Sequence, residues 1–221
     1  MTDQMQNLRD DLSYMKALAR EGRHAPLLGG SILVLAGAVW SVASLVMYFA
    51  MKGLLPGGDT TANVTWLVAM VAFIGGLFLT RSRIKSQPGA HAINNRALSA
   101  VWKGCGIGIF ALIAGIAAVS WRQHSPVPMW LIAPAILVAY GIAWTVASAM
   151  SEVKWLGWMG PASFVGSVIL AAMSGLPEMF LAYAAALVLL AGLPGYLLMR
   201  AEPSEVVLAP WTGSISTRST R

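Results

Sequence analysis

Six long apolar blocks, separated by short polar or glycine- and proline-bearing connections, constrain the fold of this chain more than any other sequence feature. Each block runs for roughly 17–26 residues, and about 20 apolar residues suffice to cross the ~30 Å hydrocarbon layer of a bilayer. The chain is 57% hydrophobic and only 11% charged, whereas soluble domains average about 25% charged residues. We therefore predict an all-α polytopic membrane protein with six transmembrane helices arranged as three hairpins.

The block boundaries give approximate ends for each predicted span. The spans are expected at about Pro26–Met51, Val64–Thr80, Ala97–Ser120, Pro128–Met150, Val153–Ser174 and Pro177–Met199. Pro161, with several glycines and serines, interrupts the fifth block, so a merged or re-entrant fifth helix is the main alternative to six complete spans. Pro134, Pro161 and Pro194 fall inside the last three spans, where a proline frees a backbone carbonyl and permits a kink.

The polar ends of the chain are expected to lie outside the six-helix domain, which spans residues 26–200. Residues 1–25 predict a cytoplasmic or interfacial amphipathic helix and its junction with the first span, because apolar side chains recur there at three- and four-residue spacing. They define a candidate docking face for a protein partner or a second copy of the chain, formed by Met5, Leu8, Leu12, Met15 and Ala19. Residues 201–221, rich in Ser, Thr, Pro and Arg, predict a disordered tail.

Lysine and arginine are distributed asymmetrically among the connections. If the N-terminus is cytoplasmic, thirteen of the 15 basic residues lie on the cytoplasmic side, and only Lys52 and Arg122 lie opposite. Such an excess is typical of cytoplasmic loops, so we expect both termini inside the cell, in the inner (plasma) membrane of a bacterium. Topology accounts for the net charge of +6, and no nucleic-acid partner is predicted.

The residue types that usually carry chemistry are sparse in the spans. No Asp, Glu or Arg lies deep in any predicted span, although intramembrane charges commonly mark proton relays and ion paths. The three histidines, His24, His91 and His124, all fall in connections, and Cys105 is the one cysteine. We therefore expect no metal, no cofactor, no catalytic residue and no enzymatic activity.

Two sets of residues are candidate functional sites. The first is basic and could contact lipid head groups or an acidic partner; it comprises Arg81, Arg83, Lys85, Arg96 and Lys103. The second is aromatic and could line an apolar cavity, although ordinary packing between helices is the favoured interpretation; it comprises Trp40, Tyr48, Tyr140, Trp144 and Tyr183.

Two further patterns have both a structural and a functional interpretation. Small residues at four-residue spacing, Gly104–Gly108 and Ala72–Gly76, allow close helix packing within one bundle or between two copies. The even-numbered spans begin alike, with Trp66, Trp130 and Phe180, and each carries a later glycine. This is either a threefold hairpin repeat or an aromatic belt at the membrane surface.

These features leave three hypotheses about function. The first is a non-enzymatic accessory, scaffold or regulatory component that docks a partner on the cytoplasmic side. The second is a small facilitator or exporter of an uncharged or lipophilic solute. The third is a lipid-active enzyme at the cytoplasmic interface that uses Lys103 with His24 or His91.

Overall fold

Helices occupy all six apolar blocks. The computed structural model describes residues 5–6, 9, 11–13, 29–56, 58–85, 93–151 and 153–201. Within these residues there is no strand, and six helical segments are long and apolar enough to cross a membrane. The prediction of an all-α polytopic membrane protein with six spans, the fifth one included, is therefore confirmed.

Seven α-helices build the six spans. They are α1 (Gly30–Met51), α2 (Gly58–Lys85), α3 (Ile93–Gln123), α4 (Ile132–Met150), α5 (Met159–Ala172), α6 (Glu178–Leu187) and α7 (Leu193–Ala201). Short 3₁₀ turns, Val127–Leu131 and Lys154–Trp158, lead into α4 and α5. A π-helical turn, Val188–Gly192, joins α6 to α7, so these two helices form the sixth span together.

Residues in the left-handed conformation mark two helix ends. Gly29 has a φ of 116° immediately before α1, a value that glycine adopts without the steric cost of a Cβ atom. After α3, His124 has a φ of 49°, and the N–H of Ser125 donates to the carbonyl of Ser120 at 3.1 Å. This is the hydrogen bond that commonly closes a helix at its C-terminus.

Two of the three span prolines lie where they do not disturb a helix. Pro134 and Pro161 are each the third residue of their helices, α4 and α5. The N–H groups of a first helical turn have no partner within the helix, so proline costs little there. Pro194 differs, because it is the second residue of α7 and is separated from the π-helical turn by Leu193 alone. A kink is therefore expected only in the sixth span.

The spans divide into an inner group and two edge helices. α1 packs on α2 and on the sixth span, whereas α4 packs mainly on α5 and also on α3. In an apolar stretch of 18 residues within each span, only 6% of the residues are buried in the second and third spans, compared with 44% in the sixth. α2 and α3 are therefore peripheral helices that present most of their surface to the surrounding lipid.

Two buried clusters form the core, one toward each end of the bundle. The first lies where α1 begins and α7 ends, and contains Leu33, Leu98, Tyr140, Trp144, Ala147, Leu156, Ala191 and Leu198. The second lies toward the other end and contains Ala133, Leu137, Leu170, Met179, Tyr183, Leu187 and Leu190. Both draw on the fourth and sixth spans, which are the most central elements of the bundle.

Glycines bring α1 and the sixth span into backbone contact. A Cβ atom placed on Gly37 would lie 2.6 Å from the backbone nitrogen of Gly192, and one on Gly30 would lie 2.5 Å from the carbonyl oxygen of Gly195. Such distances leave no space for any side chain. We call these four residues the glycine seam. It is the closest backbone-to-backbone approach between helices that the glycines of the described residues make.

Little of the N-terminal segment belongs to the described residues. Met5 and Leu12 have helical backbone and are exposed. Leu8, Met15 and Ala19 lie outside the described residues, so the amphipathic docking face remains a prediction.

Candidate functional site

Exposed basic side chains gather at the end of the bundle where α1 begins and α7 ends. We call it the basic end. The antiparallel course of the spans brings the end of α2, the start of α3, the turn before α5 and the end of α7 to this side. The exposed cations there are Arg81, Arg96, Lys103, Lys154 and Arg200. Arg83 and Lys85 continue α2, but their side chains lie outside the described part of the chain.

None of these five cations has a carboxylate partner among the described residues. Arg81, Arg96, Lys103 and Lys154 form no ion pair there, and Arg200 lies over the ring of Tyr196, 5.6 Å from its centroid. Unpaired cations at a membrane surface attract anionic lipids and acidic proteins. Of the basic residues that the sequence singled out, Arg81, Arg96 and Lys103 therefore present accessible positive charge.

The opposite end of the bundle carries an ion pair. Lys52, directly after α1, donates to Oε1 of Glu178 at the start of α6. This hydrogen bond and the negative charge of Glu178 raise the pKa of Lys52 above its usual value. The pair connects the end of the first span with the beginning of the sixth, at the far side from the glycine contact between Gly30 and Gly195.

Four of the five aromatic residues of the predicted cavity separate into three environments. Tyr140 and Trp144 belong to the first core cluster, where both rings pack edge-on against Trp102. Tyr183 lies in the second core cluster. Tyr48 lies near the end of α1, beside Phe49 and Lys52. These placements favour packing over a shared ligand cavity.

Trp40 joins a different aromatic group, which contains the residues that open the even-numbered spans. Its ring centroid lies 6.1 Å from that of Trp66 and 5.8 Å from that of Phe73. Trp66 and Trp130 both contact Phe180, at centroid distances of 6.5 and 5.6 Å. The three aromatic residues that open the even-numbered spans are therefore connected through Phe180, so they do more than mark three separate points of an aromatic belt.

Side chains donate hydrogen bonds to backbone carbonyls across the inner helix contacts. Ser41 Oγ donates to the carbonyl of Ala184 at 3.1 Å, and Ser167 Oγ donates to that of Pro134 at 2.8 Å. These bonds join the first span to the sixth and the fifth to the fourth. Polar contacts of this kind stabilise helix pairs where water is absent.

An apolar groove runs between the peripheral helix α3 and α4. It encloses about 270 Å³ and is lined by residues including Gly104, Cys105, Gly108, Ala135, Ala139 and Ile142. Nothing lies within 4 Å of a Cβ atom placed on Gly104 or Gly108. The small-residue pair that the sequence predicted as a packing motif is therefore uncovered, whereas Gly76 of the second pair packs against Leu35.

The glycine seam was missed by sequence reasoning, and so were the contacts that connect Trp66 and Trp130 through Phe180. The seam glycines, at positions 30, 37, 192 and 195, are not four residues apart within one helix, so they do not form the small-residue motif that a sequence search detects.

No group of three or more potential metal ligands occurs in the described ranges. No family model, curated protein or solved structure matches the chain.

Proposed function

We propose that this protein is a non-enzymatic accessory, scaffold or regulatory component of a bacterial inner membrane that docks a protein partner on the cytoplasmic side. One observation carries the proposal: five exposed cations at the basic end have no ion-pair partner within the described residues. Charges that the fold does not neutralise are available to an acidic partner. Three of these cations, Arg81, Arg96 and Lys103, lie on the peripheral helices α2 and α3 and are therefore accessible.

The orientation is part of this proposal. The basic end corresponds to the side on which thirteen of the 15 lysines and arginines are placed. Because basic loops are retained in the cytoplasm, the basic end faces inward and both termini are cytoplasmic. The N-terminal segment, with Met5 and Leu12 exposed, is then on the same side as the cations and extends the docking surface.

The interior of the bundle supports a structural role. The spans lack deep carboxylates and arginines, which coupled transporters and intramembrane hydrolases commonly use. The first and sixth spans are closed against each other by the glycine seam, and two large clusters fill the core.

Site-specific crosslinking in intact membranes tests the proposal. A photoreactive amino acid replaces Arg81 at the basic end, and Arg122 at the opposite end serves as the matched control. We expect a crosslinked protein partner at position 81 only, and weaker crosslinking when Met5 and Leu12 are changed to glutamate. Recovery of a bare monomer with no crosslinked protein at position 81 would overturn the proposal.

A second candidate function is a facilitator for an uncharged or lipophilic solute. The observation that favours it is the π-helical turn Val188–Gly192 beside Pro194, because such irregular turns often occur at functional sites within helices. Flux of a neutral solute into proteoliposomes, lost in a Trp144→Phe variant, would support this function. The absence of flux across a broad panel of solutes would eliminate it.

A further inference from the structure

Arg96 and Lys103 lie on the same side of α3. They are seven residues apart in one continuous helix, which places them about two turns and ~10 Å apart along the axis and within about 20° of each other around it. Both side chains are exposed, and neither forms an ion pair in the part of the chain that the structure describes. Two unpaired cations are thus aligned along one face of a peripheral helix.

The surroundings of these two cations are small or apolar. Ser99 and Ala100 lie between them on the helix and are exposed. Farther from the basic end the same side of α3 presents Ile107, 60% exposed, and Phe110, 47% exposed. The face therefore changes from two positive charges to large apolar side chains over about three turns, in the order in which a phospholipid presents its phosphate and its acyl chains.

The depth of Lys103 in the membrane indicates which kind of partner its ammonium group can contact. The candidate span of α3 runs over Asn95–Gln123, so Lys103 lies about two turns inside its beginning. A lysine at that depth extends its long side chain toward the head-group layer and places its ammonium group there. A lipid phosphate occupies this layer already, whereas an acidic protein in the aqueous phase would have to penetrate it. An arginine nearer the surface adds a guanidinium group, which binds phosphate oxygens with two hydrogen bonds.

We infer that this face of α3 is a binding site for an anionic phospholipid. The guanidinium group of Arg96 and the ammonium group of Lys103 contact phosphate oxygens of the head group, and an acyl chain lies along Ile107 and Phe110. The site is separate from the apolar groove, because the groove residues Cys105, Gly108 and Leu112 lie about 120–180° around α3 from Arg96. It requires no protein partner and goes beyond the proposed docking function.

Competition between two lipids in the purified full-length protein tests the site. Phosphatidylglycerol and phosphatidylcholine of identical acyl composition are mixed in nanodiscs, and native mass spectrometry measures the ratio of lipids retained by the protein. We expect the wild type to retain phosphatidylglycerol preferentially. Each cation in direct contact with the head group contributes about a fivefold preference, so the Arg96→Gln/Lys103→Gln variant should lose roughly 25-fold.

The control removes an equal number of positive charges from other residues at the same end of the bundle. In Arg81→Gln/Lys154→Gln the altered residues lie on α2 and in the turn before α5, so the preference for phosphatidylglycerol should be retained. An equal loss in both double variants would mean general attraction between the basic end and anionic lipid, and would overturn the site. Equal retention of both lipids by the wild type would overturn it as well. Crosslinking of an acidic protein, and no lipid, to a photoreactive residue at position 103 would show a protein-binding face instead.

Discussion

The indole N–H of Trp144 donates a hydrogen bond to the backbone carbonyl of Leu190, at 2.9 Å, across the contact between the fourth and sixth spans. In a regular α-helix this carbonyl would accept from residue 194, but residue 194 is a proline and has no N–H. The π-helical turn rearranges the neighbouring bonds, and Leu193 N–H donates to the carbonyl of Val188. Trp144 is only 1% exposed, so a buried side chain satisfies the carbonyl at the irregular point of the span.

Replacing Trp144 by phenylalanine should destabilise the bundle through the loss of this donor. A hydrogen bond between transmembrane helices contributes about 0.6 kcal/mol and at most about 1.7 kcal/mol, so a decrease of roughly 1 kcal/mol in the free energy of unfolding is expected, plus the cost of the smaller ring. Trp102→Phe is the matched control, because Trp102 packs on Trp144 but has no hydrogen bond within the described residues. Unfolding in mixed micelles measures both variants. Equal destabilisation would contradict a specific role for the hydrogen bond.

The glycine seam predicts that two glycine substitutions in apolar spans will have opposite outcomes. In Gly37→Ala the new Cβ atom would lie 2.6 Å from the backbone nitrogen of Gly192, so the first and sixth spans must separate. Overpacking of this kind costs about 1–3 kcal/mol. In Gly104→Ala the Cβ atom meets nothing within 4 Å, and the higher helix propensity of alanine should leave stability unchanged or slightly raised. Thermal unfolding in detergent distinguishes them, and a destabilised Gly104→Ala variant would show that a partner covers the groove.

The six spans were predictable because block length and hydropathy are local properties of the sequence. The predicted end of the first span, Met51, agrees with the structure, and α2 and α3 extend several residues beyond their apolar blocks. Polar residues at a helix end can lie outside the hydrocarbon layer, so hydropathy alone underestimates the length of such helices.

The contacts between spans were not predictable in the same way. Of the two tryptophans in the predicted cavity, Trp40 and Trp144, only Trp144 donates an indole hydrogen bond within the described residues. The choice depends on which carbonyl the tertiary packing brings near. Likewise, Gly104 and Gly108 matched a packing motif but remain uncovered, whereas Gly37 meets Gly192 on a distant segment of the chain. A pattern within one helix does not identify the helix that will cover it.

The ion pair between Lys52 and Glu178 predicts a pH dependence at alkaline pH. Because the pKa of Lys52 is raised in the folded protein, the pair stabilises the fold below the ordinary pKa of 10.5 and this contribution disappears as the pH rises through the folded value. The difference in thermal stability between wild type and Lys52→Met should therefore be present at pH 8 and vanish well above pH 11. Both residues are partly exposed, so the difference should be small. A difference that persists at high pH would mean that contacts of the lysine stem with Tyr48, and not its charge, stabilise this end.

The orientation of the bundle can be tested by labelling two engineered cysteines in a Cys105→Ser background. Ser82 lies near the basic end of α2, and Gln123 lies at the opposite end of α3; both are exposed. With the basic end in the cytoplasm, a membrane-impermeant maleimide should label Gln123→Cys in intact spheroplasts and label Ser82→Cys only after permeabilisation. The physical reason is that thirteen of 15 basic side chains would otherwise have to be translocated. The reverse pattern would place the cations outside, and labelling of both cysteines in intact spheroplasts would indicate a mixture of two orientations.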